Sequence, residues 1–252
     1  MPVLHRVLSP IVQVREEESI TLFLMFLYSF LAMTAYTIIK PLATGTFIAA
    51  LGAENIPLMI LVAGPLIAVI MQLYTAVISK LPQRWVIQAT QAGILLLLVA
   101  FSLIFRLGTG GFPASAMYLF RLILGVLLLS QFWTLANDIY DPRQAKRFFG
   151  FIGSGSALGG LTASFLVQQT IEQLGFNNLL LVSAALVACC MALATAILRR
   201  TNAATLSDVA SAGKETGVGG IEALRMLRES KHLQVIATVS YTHLTLPTIL
   251  LV

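Results

Sequence analysis

Apolar residues run through this chain in long blocks separated by short polar ones. Stretches free of Asp, Glu, Lys and Arg cover residues 19–39, 55–79, 85–105, 148–171 and 177–198, and a further block at 115–140 is broken only by Arg121 and Asp138. At 1.5 Å of rise per residue, each is long enough to cross a hydrocarbon core of about 30 Å. Lipid offers no partner to an unpaired N–H or C=O, so helices are the expected form. A transmembrane barrel would need alternating segments of about ten residues, and uninterrupted apolar runs such as 94–101 speak against it. The pattern therefore predicts an all-α polytopic membrane protein with a six-helix block.

The pattern changes after the sixth block. Residues 201–220 mix Ser, Thr, Gly and both charge signs, as a flexible linker does. In 221–231, Ile221, Leu224 and Leu227 recur at helical spacing among Arg and Glu, which predicts a short amphipathic helix at the membrane surface. The expected organisation is a cytoplasmic N-terminal segment (1–18), a six-helix transmembrane domain (19–198), a cytoplasmic loop (199–232) and a truncated seventh span with its tail (233–252). Residues 239–248 read Val-Ser-Tyr-Thr-His-Leu-Thr-Leu-Pro-Thr, which resembles the translated end of a transposase adapter used in preparing sequencing libraries. The native chain is expected to continue beyond about Thr238, and Tyr241, His243 and Pro247 carry no function in this reading.

Composition narrows the class. Hydrophobic residues make up 58% and charged residues 11%, against about 25% charged in a soluble domain. That excludes a disordered chain, a disulfide scaffold and an ordinary cytosolic domain. The net charge of +5 is better read through its distribution than as a nucleic-acid signal, and no nucleic-acid partner is expected. With the N-terminus inside, the inner segments hold Arg6, Arg15, Lys80, Arg84, Arg143, Lys146, Arg147, Arg199, Arg200, Lys214, Arg225, Arg228 and Lys231, 13 of the 16 basic residues. Lys40 and Arg106 fall outside. The positive-inside rule then places both ends of the six-helix block in the cytoplasm. No small-residue cleavage site precedes the first span, so no signal peptide is expected.

Enzyme chemistry finds no foothold. Gly153-Ser154-Gly155 runs on to Gly159 and misses the dinucleotide-binding spacing, and Gly213-Lys214 is followed by Glu215 rather than Ser or Thr. His5, His232 and His243 all lie outside the six spans, so no span holds a histidine base or zinc ligand. The adjacent Cys189 and Cys190 read as small packing residues. No catalytic residue, metal or cofactor is expected.

Polar residues within the spans are the better candidates. In the fourth span Ser130, Thr134, Asn137 and Asp138 share one helical face, lining either a protein contact or a watery cavity. Asp138 has a simpler alternative as an interfacial residue beside Arg143 and Lys146. Arg121 is a charge inside a span, which costs a few kcal/mol on insertion scales. It lies opposite the Ser130 stripe, and its alternative is to snorkel outward. The first span carries Ser29, Tyr36, Thr37 and Lys40 along one stripe, after which Pro41 and Gly45 are expected to loosen the helix. Lys40 is either an interfacial anchor or an attractor of anions. The fifth span holds Gly150, Gly153, Gly155, Gly159 and Gly160, with a G-x-x-x-G at 155 and 159. Such spacing lets helices approach closely, or provides a sliding surface in a rocking transporter.

Four groups of residues occur in an order that resembles a known family. They are Tyr36-Thr37-Ile38-Ile39-Lys40-Pro41, then Gly52-Ala53-Glu54-Asn55-Ile56-Pro57, then Phe132-Trp133 with Ala136-Asn137-Asp138, then Gln144-Ala145-Lys146-Arg147-Phe148-Phe149-Gly150-Phe151-Ile152-Gly153. Together they resemble the ATP:ADP antiporter (nucleotide translocase) family of obligate intracellular bacteria and plastids. The likeness is greater to its free-living bacterial relatives, which are similar to the major facilitator superfamily. The resemblance implies two six-helix halves joined by a cytoplasmic loop, in the bacterial inner membrane, with this chain as the N-terminal half and a C-terminal six-helix half as its partner. It implies that the first and fourth helices line a central cavity, and that nucleotides are exchanged without hydrolysis. Two positions depart from it. Nucleotide exchangers carry a lysine where Ala43 stands, and a glutamate eleven residues before Phe132, where Arg121 stands. The expected function is therefore secondary transport of an organic anion, with nucleotide exchange of the ATP/ADP type as one case. Tyr36, Lys40, Arg121, Ser130, Thr134, Asn137 and Asp138 are the candidate substrate contacts. The rival reading is a non-transporting membrane anchor or sensor module for downstream cytoplasmic domains.

Overall fold

A computed structural model describes residues 16–108, 110–205, 230, 231 and 235. Among the described residues five α-helices follow one another: α1 (Glu16–Leu51), α2 (Ile56–Ile78), α3 (Gln83–Leu107), α4 (Gly111–Ile139) and α5 (Pro142–Thr205). A 3-10 turn, Ala53–Asn55, joins α1 to α2. All five are long and apolar enough to cross a membrane. The connections between helices are short. The α1–α2 turn requires Gly52, whose φ of 86° suits a residue without Cβ.

α5 is 64 residues long and is interrupted at Gly175, where φ is 73° and ψ is 168°. Residues on its two sides reach the same two core clusters in opposite order. Before the break, Phe148 and Ile152 pack with Leu22, Met25 and Tyr28, and Ala163 packs with Ala35, Ile38 and Leu42. After it, Leu179, Leu180, Ala184 and Val187 return to the second set, and Cys190, Ala194 and Ile197 to the first. The chain therefore turns back at Gly175. The sequence boundary between 171 and 177 falls on this break, next to Glu172.

Two expectations are corrected. The first helix does not end with the apolar run at Ile39, since α1 continues through Pro41 and Gly45 to Leu51. An interior proline removes one N–H and crowds the carbonyl four residues before it, and α1 carries Pro41 within its helical run. The Thr44 and Thr46 hydroxyls donate back to the Lys40 and Leu42 carbonyls on either side of it. Lys40 is consequently a mid-helix residue rather than a helix end. Residues 201–205, read as linker, are the last part of α5. The remaining linker, the surface helix over 221–229 and the stretch 239–248 lie outside the described residues.

Small residues set the closest approach in the bundle. A Cβ on Gly155 would stand 2.7 Å from the Phe26 carbonyl oxygen, and one on Gly159 would strike the Phe30 carbonyl. The Thr34 hydroxyl, beside Gly159, donates to the Phe30 and Gly159 carbonyls at 2.7 and 3.2 Å. The other glycines of this group differ. Gly150 and Gly153 have nothing within 4 Å of a built Cβ, and Gly160 meets only ordinary contacts. At one end of the bundle Glu18 accepts from Gln144 at 2.6 Å and lies 3.7 Å from Arg147. This accounts for the polar part of the Gln144–Gly150 stretch, whose Phe148 is fully buried. α2 stands apart, since only Ala63 and Tyr74 on it are buried, while Leu58, Ile60, Leu61 and Leu73 are exposed.

Candidate functional site

A cavity of about 600 Å³ opens between α1, α2, α4 and α5. Its volume is in the range of small-molecule sites. α1 contributes Ser29 and Tyr36, α2 contributes Ile67, α4 contributes Gly125, Phe132 and Trp133, and α5 contributes Phe149, Gly153 and Ser156. Most of the wall is apolar, and one side is aromatic. Trp133 meets Phe132 and Phe149 edge to face, with ring centroids 5.2 and 5.1 Å apart. Phe132 in turn lies parallel to Tyr28 at 6.4 Å. Such a wall suits a planar aromatic group.

Tyr36 is held by a bare stretch of backbone. A Cβ on Gly125 would lie 3.0 Å from the Tyr36 ring edge and hydroxyl. From this contact, Lys40 lies one turn onward along α1 and Arg121 one turn back along α4. α1 and α4 run through the two core clusters in opposite directions, so both steps lead toward the same end of the bundle. Each displaces the residue by about 6 Å along its helix. The two cations therefore sit at one level, one turn beyond the Tyr36–Gly125 contact, on the side away from the aromatic wall, since Arg121 and Phe132 lie eleven residues, about 16 Å, apart along α4.

They differ in surroundings. Lys40 is exposed. Arg121 is only 8% exposed, and its guanidinium lies 4.6 Å from the centre of the Tyr118 ring. Its Nε has no hydrogen-bond partner among the described residues. The Tyr118 ring offsets part of the burial of this charge, and an anion would offset the rest. Arg121 packs within the bundle, with its guanidinium directed one turn back toward the start of α4.

Of the sequence-predicted substrate contacts, Tyr36 lines the cavity, and Lys40, Arg121, Ser130, Thr134, Asn137 and Asp138 do not. Ser130 and Thr134 are half-buried, and the Thr134 hydroxyl donates to the Ser130 carbonyl of its own helix. Asn137 and Asp138 are exposed near the end of α4. Of the glycines, Gly153 lines the cavity. Sequence reasoning missed Gly125, whose role depends on a ring from another helix. It also missed Gln91 and Gln131, two fully buried amides whose only signal is a polar residue within an apolar run. Among the described residues no group of His, Cys, Asp or Glu is arranged to hold a metal, and both cysteines are free thiols.

The sequence model of one family, described as TLC ATP/ADP transporter, matches residues 111–246, just over half of the chain and all of α4 and α5. No curated protein matches the chain, and no solved structure does.

Proposed function

The chain belongs to the TLC ATP/ADP transporter family, and from that premise we propose that it is the N-terminal part of a carrier for a nucleotide or a related organic anion. Family membership and the apolar helices together make it a multi-pass membrane protein. The observation that carries the site is Arg121, a buried cation with an unpartnered Nε, level with Lys40 and one turn from the near end of a cavity whose aromatic wall lies about 16 Å further along α4. A buried charge left without a counterion is strongly unfavourable. An anionic substrate supplies that counterion, with Lys40 attracting it and Tyr36, Trp133 and Phe132 receiving its apolar or aromatic part. Asn137 and Asp138 then belong to the path toward the opposite end rather than to the site itself.

The reversal at Gly175 supports counting six spans rather than five, because each run of α5 passes both core clusters. With the basic residues distributed as they are, the N-terminus and the segment after α5 face the cytoplasm of a bacterial inner membrane. Transport proceeds by alternating access, with this bundle rocking against a second six-helix half and the site lying between them. The protein performs no bond-making step. The rival reading, a non-transporting anchor or sensor, gives Arg121 no counterion.

Uptake of labelled nucleotides and other organic anions by the intact carrier in vesicles tests this proposal. Arg121→Leu is expected to abolish uptake and Lys40→Leu to weaken it. Uptake unchanged in both variants for every transported anion would remove the site assignment.

A further inference from the structure

At the end of the bundle where α3 begins and α5 ends, the two helices bring cations together. The Gln88 amide on α3 donates to the Thr195 hydroxyl on α5 at 3.1 Å. Beside it Ile87 packs in one core cluster with Ala194 and Ile197. The helices are antiparallel there, since α3 leaves that cluster for Ile94 and Leu98 in the other, while α5 arrives from it. Arg84 is four residues before Gln88, and Arg199 is four after Thr195. Both therefore stand one turn beyond the Gln88–Thr195 bond, on the same faces of their helices. Lys80 lies in the α2–α3 turn, and Arg200 follows Arg199. All four are exposed, and none pairs with a carboxylate among the described residues.

An apolar track leads away from this group along the outer side of α3. The Arg84 guanidinium lies 5.9 Å from the centre of the Trp85 ring. Trp85, Leu96 and Leu103 are 60%, 68% and 56% exposed. Their spacing returns the helix to within roughly 20° of one line. Trp85 and Leu96 are separated by about 16 Å of helix, which is about the depth of one leaflet of a hydrocarbon core. An exposed indole belongs at the membrane–water interface. The two arginines beside it stand at headgroup depth.

Its own helix does not account for Arg84. It stands in the first turn of α3, the end at which the helix dipole disfavours a cation, and that turn holds no acidic residue. Arg84 and Arg199 also repel each other. We propose that Arg84 and Arg199 clamp the phosphate of one anionic phospholipid, with an acyl chain laid along Trp85 and Leu96. Lys80 and Arg200 add to the attraction. Planar guanidinium forks match phosphate oxygens, and the track meets the tail. A free phosphate would use the arginines alone. The site needs only that α3 and α5 cross a membrane, and is independent of what the protein carries. With the N-terminus inside, the headgroup belongs to the cytoplasmic leaflet.

Quenching of Trp85 by brominated lipids tests this. The full chain with Trp133→Phe keeps Trp85 as its single tryptophan. It is placed in phosphatidylcholine nanodiscs holding a minor share of brominated phosphatidylglycerol or brominated phosphatidylcholine. Phosphatidylglycerol is expected to quench more strongly at equal mole fraction, and Arg84→Gln and Arg199→Gln should each lower its relative affinity about fivefold. Replacing Arg143 and Lys146, two exposed cations in the first turns of α5, by Gln should leave the preference unchanged. Equal quenching by the two lipids would overturn the proposal. So would a preference that falls as far without Arg143 and Lys146, which is diffuse attraction to a basic surface. A preference abolished by inorganic phosphate at constant ionic strength would make the arginines a site for the free ion and would overturn it too.

Discussion

Tyr36 lies across the cavity wall because Gly125 offers it a surface without a side chain, with a built Cβ at 125 only 3.0 Å from the Tyr36 hydroxyl. Gly125→Val should push the ring away and cost about 1–3 kcal/mol of stability, the usual range for overpacking. The cost should shrink in a Tyr36→Ala background. A double-mutant cycle read by thermal unfolding checks this. An equal cost in both backgrounds would mean that Gly125 serves some other neighbour.

The fifth-span glycines divide into two kinds, and alanine should move them in opposite directions. Gly159→Ala drives a methyl group into the Phe30 carbonyl and Gly155→Ala into that of Phe26, so both should lower the melting midpoint. Gly150→Ala and Gly153→Ala meet open space and remove a poor helix former, with a gain of up to about 1 kcal/mol. Midpoints that fall equally for all four would show that spacing alone, not contact with α1, decides the effect.

Arg121 separates stability from binding. Arg121→Met removes a buried charge, so the unliganded protein should be at least as stable as before. Its stabilisation by a nucleotide should vanish. A ligand at about 100 times its Kd stabilises the native state by about 2.7 kcal/mol, an effect visible in a melting curve. A nucleotide shift that survives in Arg121→Met would place the anion elsewhere.

Trp133 is a built-in reporter of the cavity. With the exposed Trp85 replaced by Phe, the remaining indole fluorescence should change when a nucleotide binds, because Trp133 lines the aromatic wall. A saturable change that disappears in Arg121→Met ties the wall and the cation to one site. No change despite demonstrated binding would separate them.

Much of this organisation is written in the sequence. The apolar runs locate α2, α3 and α4 within a few residues, because a membrane helix has to be continuous and apolar. The end of α1 was not legible, since Lys40 and Pro41 look like a terminus. Only the structure shows the helix carrying both onward. Tyr36 and Gly153 could be named in advance as residues on a promising stripe. That they share a cavity depends on how four helices cross, which no single helix encodes. Arg121 was legible as a costly charge, but its burial against Tyr118 was not, because snorkelling and burial look the same in sequence. Gln91 and Gln131 escaped because each is one polar residue in a long apolar run.

The most direct measurement of the central claim is uptake by the intact carrier in proteoliposomes loaded with unlabelled nucleotide. A panel of labelled nucleotides and other organic anions is offered outside, with Arg121→Leu as the control. The account predicts saturable uptake of at least one nucleotide or related anion, abolished in Arg121→Leu. Absence of uptake for every anion by correctly folded protein, or uptake indifferent to Arg121→Leu, would contradict it.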